Sequence, residues 1–304
     1  MRPSAQATTS NDGTRIAYYD YAPDAAEAFP RDDCNGWQRD DLPVLVCVHG
    51  YPDNARLWEP VARELAGAFR VVTYDVRGAG ESGQPRERSA YHLDRLEDDF
   101  RAVLEAVSPE QPVHLLAHDW GSIQAWHFVT SERMRGRIES FVSISGPSLD
   151  HAGFFIRRHR PVRDVIRQLL HSWYIYYFHL PWLPENGWKR GWAHRVFARL
   201  ERSADGLPSA TGERSLGDYV NGLNLYRENV FPRMIRPGER TTDVPVLAVS
   251  PENDVFVSTP LQTDIARWAP NLTVKVVRGG HWMPRNDPGL VARLVLEHTR
   301  ELAR

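Results

Sequence analysis

Four short segments carry side chains that could act together. The first is Val113-His-Leu-Leu-Ala-His-Asp119-Trp-Gly-Ser122. An apolar run ends at Ala117, Asp119 follows two residues later, and a helical pattern opens near Ser122. Small residues at Ala117 and Gly121 suit a tight strand-to-helix turn from which the central side chain projects. A helix N-terminus beyond it favours a carboxylate, although an Asp capping an ordinary helix leaves the same local pattern. The second is Val48-His49-Gly50-Tyr51-Pro52. Gly50 permits unusual torsions and Pro52 fixes the turn. Such a loop would set the Tyr51 backbone N–H opposite that of Trp120 as an oxyanion hole; a plain strand-end turn is the bland alternative. The third, Val249-Ser-Pro-Glu-Asn-Asp254, offers Asp254 to orient a histidine, with Glu252 as a competitor and a simple turn-forming Asp as the alternative. In the fourth, Arg278-Gly-Gly-His281-Trp-Met-Pro284, two glycines let a loop bring His281 over a sheet edge. Each signal is weak alone. Nucleophile, acid and histidine in that chain order, each just past a strand, is the order of a triad on an open α/β sheet.

An Asp in the central position points to particular chemistry. A serine attacking saturated carbon would give an ether that water does not readily cleave. A carboxylate gives an ester, which water activated by His281 can hydrolyse at the Asp119 carbonyl. The substrate is then one displaced at sp3 carbon, with an epoxide oxygen or a halide leaving. An epoxide oxygen needs O–H donors; a halide needs N–H donors. Two aromatic segments offer hydroxyls, Ser172-Trp-Tyr174-Ile-Tyr-Tyr177-Phe-His-Leu-Pro181 and Gly222-Leu-Asn-Leu-Tyr226-Arg-Glu-Asn229, although most helical tyrosines are core or rim residues. The glycine-rich stretch Tyr74 to Ser82 lacks the spacing of a phosphate-binding loop.

The elements that must hold these residues follow from apolar patterning. Short runs occur at Arg15 to Tyr21, Val44 to Val48, Arg70 to Tyr74, Val113 to Ala117, Ser140 to Ile144, Val246 to Val249 and Thr273 to Val277. Most are β-branched and near-continuous, as in strands buried on both faces of a parallel sheet. Helical patterns such as Leu93 to Val107 and Ser122 to Glu132 lie between them, giving a doubly wound α/β fold. From about Leu149 to Arg240 strand-like runs stop. That stretch is rich in Trp, Tyr, Phe and Arg and broken by Pro181, Pro184, Pro208 and Pro232, and reads as a mostly helical insertion roofing the ligand crevice. The division is a core of residues 1–148 and 241–304 with a cap of 149–240. Asp24 to Asp41 reads as an irregular polar loop.

Composition narrows the function classes. With 304 residues, 42% hydrophobic and 25% charged, the chain is of globular type. A net charge of -2 gives no case for nucleic acid, and Arg157-Arg158-His159-Arg160 reads as a solvated face. Two cysteines, Cys34 and Cys47, form no disulfide framework, so a reducing, cytoplasmic compartment is expected. Met1 to Asn11 has no apolar h-region, and no run approaches the roughly 18 apolar residues that cross a bilayer. No membrane or nucleic-acid partner, metal or organic cofactor is expected; a homodimer is left open.

His49-Gly50-Tyr51-Pro52, His118-Asp119-Trp120-Gly121 and Gly280-His281-Trp282 together resemble the soluble epoxide hydrolases of the α/β-hydrolase superfamily, and the resemblance covers nearly the whole chain. It implies two ring-opening tyrosines, matched by Tyr174 (in a Tyr-x-x-Tyr-Phe context before a proline) and Tyr226 (in Asn224-Leu-Tyr226-Arg227), with Tyr176 and Tyr177 close to the first. It also implies a pocket shaped by His49, Pro52, Tyr177 and Trp282, and an Asp119–Asp254–His281 triad acting on an epoxide. The many aromatics of residues 149–240 suggest that the substrate is apolar or aromatic, although they equally suit the cap's own core. Leu116-Ala-His-Asp-Trp-Gly-Ser122 and Ser143-Ile-Ser-Gly-Pro-Ser148 are similar to a bacterial subgroup in which such a unit is fused to a short-chain dehydrogenase. The implied protein is a free-standing hydrolase or one half of a longer chain. Ser122 stands where many relatives have a second glycine, and Tyr51 where Phe is commoner. The rival readings are a haloalkane dehalogenase-like hydrolase, which usually carries Asn or Trp after His-Gly, and a non-catalytic ligand-binding scaffold.

Overall fold

The computed structural model describes residues 3–21, 42–205 and 213–302. Cys34, Pro208 and the polar segment Asp24 to Asp41 lie outside them. Eight strands form one sheet: β1 (Gln6–Thr9), β2 (Arg15–Tyr21), β3 (Val44–Val48), β4 (Arg70–Tyr74), β5 (Val113–His118), β6 (Ile138–Ile144), β7 (Val246–Pro251) and β8 (Leu272–Val277). Their order is β1-β2-β4-β3-β5-β6-β7-β8. β2 pairs antiparallel with β1 and β4; every pairing from β4 to β8 is parallel.

β3 and β5 are buried along their whole length, as their unbroken apolar runs require. β8 departs from that expectation. Among the described residues it pairs only with β7, and Val274 and Val276 are exposed on it. β1 was not legible as a strand, because Gln6–Thr9 is polar and mostly exposed and is held by its hairpin to β2.

Helices α1 (Glu59–Leu65), α2 (Leu93–Val107), α3 (Trp120–Val129) and α12 (Pro288–Leu302) flank the sheet, α1 packing on α12 and α2 on α3. Between β6 and β7 the chain leaves the sheet, and its described residues form six helices: α4 (Leu149–Arg158), α5 (Val162–His171), α6 (Trp173–His179), α7 (Leu183–Lys189), α8 (Trp192–Asp205) and α9 (Leu216–Ile235). The long α9 packs against α4, α6 and α7. It starts on a capping box in which Ser215 Oγ accepts the Asp218 N–H and the Asp218 carboxylate accepts the Ser215 N–H. Short α10 (Thr259–Thr263) and α11 (Met283–Asn286) complete the chain.

Register decides where chemistry can gather. Val48 lies beside Ala117, Ala117 beside Ser143, and Ile144 beside Val249. Pro251 lies beside Val277. The loops after β3, β5, β7 and β8 therefore leave the same edge of the sheet, under the six-helix insertion, at the crevice where open α/β sheets bind ligands.

Candidate active site

Asp119 has φ 52° and ψ -123°, a conformation that non-glycine residues rarely hold. Its side chain makes no capping bond to α3, so it is not an ordinary N-cap; it projects into the cavity above the sheet. The turn closes only because its neighbours lack side chains. A Cβ on Gly121 would lie 2.1 Å from the Val48 carbonyl oxygen, and one on Gly146 would lie 2.1 Å from that of Asp119. α3 begins at Trp120, two residues earlier than the pattern near Ser122 suggests, because Trp120 is buried like the helix interior.

The loop after β3 closes over the carboxylate. The Tyr51 backbone N–H donates to Asp119 Oδ1 at 2.7 Å. A Cβ on Gly50 would sit 2.3 Å from that oxygen and 2.7 Å from the Trp120 backbone nitrogen, so the bare glycine lets Tyr51, Asp119 and Trp120 crowd together. Two backbone amides beside one carboxylate are the donors an oxyanion on that carbon would use.

His281 lies behind. Its Nε2 is 3.6 Å from Asp119 Oδ2, and its Nδ1 is 3.0 Å from Asp254 Oδ2. Asp254 Oδ1 also accepts the N–H groups of Phe256 and Val257 at 2.8 and 3.0 Å. Glu252, the alternative acid, is exposed, whereas Asp254 is buried against the histidine. Burial alone would strip the His281 proton, but the carboxylates of Asp254 and Asp119 outweigh it and push the imidazole up to about 10. Burial likewise opposes charge on Asp254, yet His281 and the two amides hold it below the usual carboxylate range.

Tyr174 and Tyr226 line the same cavity as Asp119 and His281. Their rings meet edge to face at 6.0 Å, and Tyr226 packs on Trp120 at 4.8 Å and on Tyr51 at 5.3 Å. Burial raises both hydroxyls well above the ordinary tyrosine value, and the nearby Asp119 charge raises them further. They are protonated donors at neutral pH. Tyr176 is exposed and packs on Phe231, whereas Tyr177 lines the cavity with its hydroxyl 3.5 Å from the Leu183 carbonyl oxygen. The cavity measures about 350 Å3 and is walled by Trp188, Phe178, Phe197 and Phe256. A smaller one of about 100 Å3 shares Asp119, Tyr174 and Tyr226 with it.

Two pocket residues need correction. His49 and Pro52 do not line this cavity. His49 is a loop brace: its Nε2 accepts the Val76 N–H at 2.9 Å, leaving Nδ1 to donate to the Gly50 carbonyl oxygen at 2.9 Å. Trp282 does line it, but its indole N–H is taken by Asp53 Oδ2 at 3.0 Å.

Four residues that the sequence did not mark as part of the site belong to it. Asp53 bonds Trp282 and also pairs with Arg214 at 2.6 Å, which in turn bonds Glu201 on α8 at 2.7 Å. This buried group ties the helical insertion to the loop that carries His281. His118 Nε2 donates to the His281 carbonyl oxygen at 2.8 Å. Burial, reinforced by the cationic His281, lowers His118 to about 4, so it is neutral and holds that loop without competing for the proton. His118 was visible beside Asp119; nothing near Asp53 in sequence marks it. Among the described residues no group of three or more His, Cys, Asp or Glu could hold a metal ion.

With a strained turn presenting a carboxylate and an acid–histidine pair at neighbouring strand ends, the fold and site are those of an α/β hydrolase. A family model for the alpha/beta hydrolase fold matches residues 43–234, and the chain belongs to that family. It is 32% identical over 299 residues to "Probable oxidoreductase EphD" of Mycobacterium tuberculosis, a match covering 94% of this chain and 48% of the relative. The chain thus spans about half the length of that relative. It is 29% identical to Epoxide hydrolase 3 of Mus musculus over 81% of this chain and 67% of the relative. A variant of an epoxide hydrolase from Bacillus megaterium, solved with its diol product, superposes with a TM-score of 0.77 over 97% of this chain and 100% of the other at 19% identity. That last likeness speaks for the fold.

Proposed function

We propose that the chain hydrolyses epoxides to vicinal diols through an ester formed on Asp119. The observation that carries this is a carboxylate on the strained turn, facing two protonated tyrosines across an aromatic cavity, with His281 and Asp254 behind it. The names of the mouse relative and the Bacillus megaterium structure support the same substrate class. In this reading residues 149–240 are the cap over a core of 1–148 and 241–304, and the aromatic walls select an apolar or aromatic epoxide.

Tyr174 and Tyr226 hydrogen-bond the ring oxygen. Asp119 attacks a ring carbon, the C–O bond breaks, and the oxygen takes a tyrosine proton. The imidazolium of His281 restores that proton and becomes neutral. Losing the Asp119 charge favours this release, because that charge helped to hold the proton. Neutral His281, oriented by Asp254, then deprotonates a water that adds to the ester carbonyl, while the N–H groups of Tyr51 and Trp120 receive the oxyanion. Collapse frees the diol, returns Asp119 to a carboxylate and leaves His281 protonated. The balance is one epoxide and one water to one diol.

A halide would need free N–H donors. The Trp282 indole is already bonded to Asp53 and that of Trp120 faces the Tyr226 hydroxyl, which weighs against a dehalogenase. The test is diol formation from styrene oxide by wild type, Tyr174→Phe, Tyr226→Phe and the double variant. The double variant is expected to lose about 10²- to 10⁴-fold in kcat. Halide release from a chloroalkane, indifferent to both tyrosines and with no diol from any epoxide, would replace this reading.

A further inference from the structure

We propose that the outer face of α5 to α8 docks on an anionic lipid surface, from which the cavity draws its substrate. The second half of that statement rests on the cavity being the epoxide site; the docking does not. Helix α5 carries Val162, Ile166, Leu169 and Leu170 along one stripe, and Trp173 at the start of α6 continues it. All are exposed, Leu170 by 69%. A stripe of this kind is normally the buried side of a helix, yet the buried residues of α5 are only Val165 and Gln168. Tyr176, Leu180 and Leu183, on and beside α6 and α7, are exposed as well, and Trp182 is 74% exposed. On α8, Trp192 and Val196 stand one turn apart and are exposed by 40% and 44%. Trp173, Trp192 and Val196 also line the cavity that holds Asp119. The mouth of the site therefore opens within this apolar face.

Charge says what covers it. Residues 157–202 contain 10 Lys and Arg against 3 Asp and Glu, in a chain whose net charge is -2. Arg163, Arg167, Lys189 and Arg195 are exposed on these helices, and Arg160 and Arg190 are exposed at their ends. Of the three acids, Glu185 pairs with Arg227 and Glu201 with the buried Arg214. Exposed tryptophans and leucines among arginines match the boundary between acyl chains and anionic headgroups. Nucleic acid has no use for the apolar stripe, and a second copy would bring two like-charged faces together. Among the described residues no helix is long and apolar enough to cross a membrane, and the docking proposed for this face is peripheral. The sequence-based expectation of no membrane partner rested on the missing spanning segment, which peripheral docking does not require.

Flotation with vesicles of phosphatidylcholine alone and of phosphatidylcholine with phosphatidylglycerol in equal parts tests the docking directly. The protein is expected to float with the anionic vesicles and to stay in solution with the neutral ones. Leu170→Asp with Trp182→Asp, and separately Arg163→Glu with Arg167→Glu, are each expected to lower partitioning at least about tenfold. Neither pair lines the cavity, so both variants are expected to process a water-soluble epoxide at the wild-type rate. If no epoxide is turned over, flotation still reads the docking and only the substrate reading fails. No flotation overturns the proposal, as does flotation that both variants leave unchanged. A doubled mass in light scattering that Leu170→Asp abolishes, without flotation, also overturns it and makes the face a self-association surface.

Discussion

His281 sits between two carboxylates, Asp119 at 3.6 Å and Asp254 at 3.0 Å, so its proton is held until one of them loses its charge. In the proposed mechanism ester formation on Asp119 does that, so that the imidazole would become a base only after the first step. Removing the base should stop the reaction at the ester. His281→Gln incubated with styrene oxide is expected to gain the mass of one epoxide in the intact protein, with diol formation lowered about 10²- to 10⁴-fold. Wild-type turnover in that variant would remove His281 from the mechanism. Asp119, Asp254 and His281 were legible because each stands at a strand end beside glycine or a turn residue. Asp53 was not, because its partners Arg214 and Trp282 are 161 and 229 positions away and its role exists only once those segments meet. His49 and Pro52 were misread because closeness in sequence to Tyr51 does not place a side chain in the cavity; the His49 ring turns back to brace Val76.

At the scale of elements, the crossing from sheet to insertion is held by Asp53 after β3, Arg214 before α9, Glu201 on α8 and Trp282 before α11. Burial opposes charge on Asp53, but Arg214 more than compensates and lowers it. Truncating one member leaves charges buried without compensation. Arg214→Met is expected to cost about 3–5 kcal/mol, measured by urea unfolding. It is also expected to raise KM, because the insertion that walls the cavity loses its tie to the core. A stability within about 0.5 kcal/mol of wild type would show that the ion group is dispensable. Strand positions were readable from unbroken β-branched runs, and a helical insertion from aromatic composition without such runs. The arrangement of α4 to α9 was not readable, since it depends on packing between helices whose apolar stripes look alike in sequence.

For the whole molecule, the same histidine links charge to folding. An imidazole raised from 6.5 to about 10 binds its proton more tightly in the folded state than in the unfolded one. Its contribution to stability is complete below 6.5 and is lost as the pH rises through about 10. The difference in melting temperature between wild type and His281→Gln is expected to shrink across that window. A constant difference would mean that the two carboxylates do not hold the proton. The alternation of strand and helix made the fold class legible from end to end. Its rims were less so, because β1 is too polar to stand out and β8, open on one side, exposes valines that pattern alone would bury.

The central claim is that Asp119 is esterified, and a single turnover in heavy-oxygen water reads it most directly. Excess enzyme is mixed with one equivalent of styrene oxide, and the peptide containing Asp119 is weighed. Diol and one heavy oxygen in Asp119 are expected, because water would attack the carbonyl carbon of the ester. Diol with no label in the protein would mean that water opens the epoxide directly, and would contradict it.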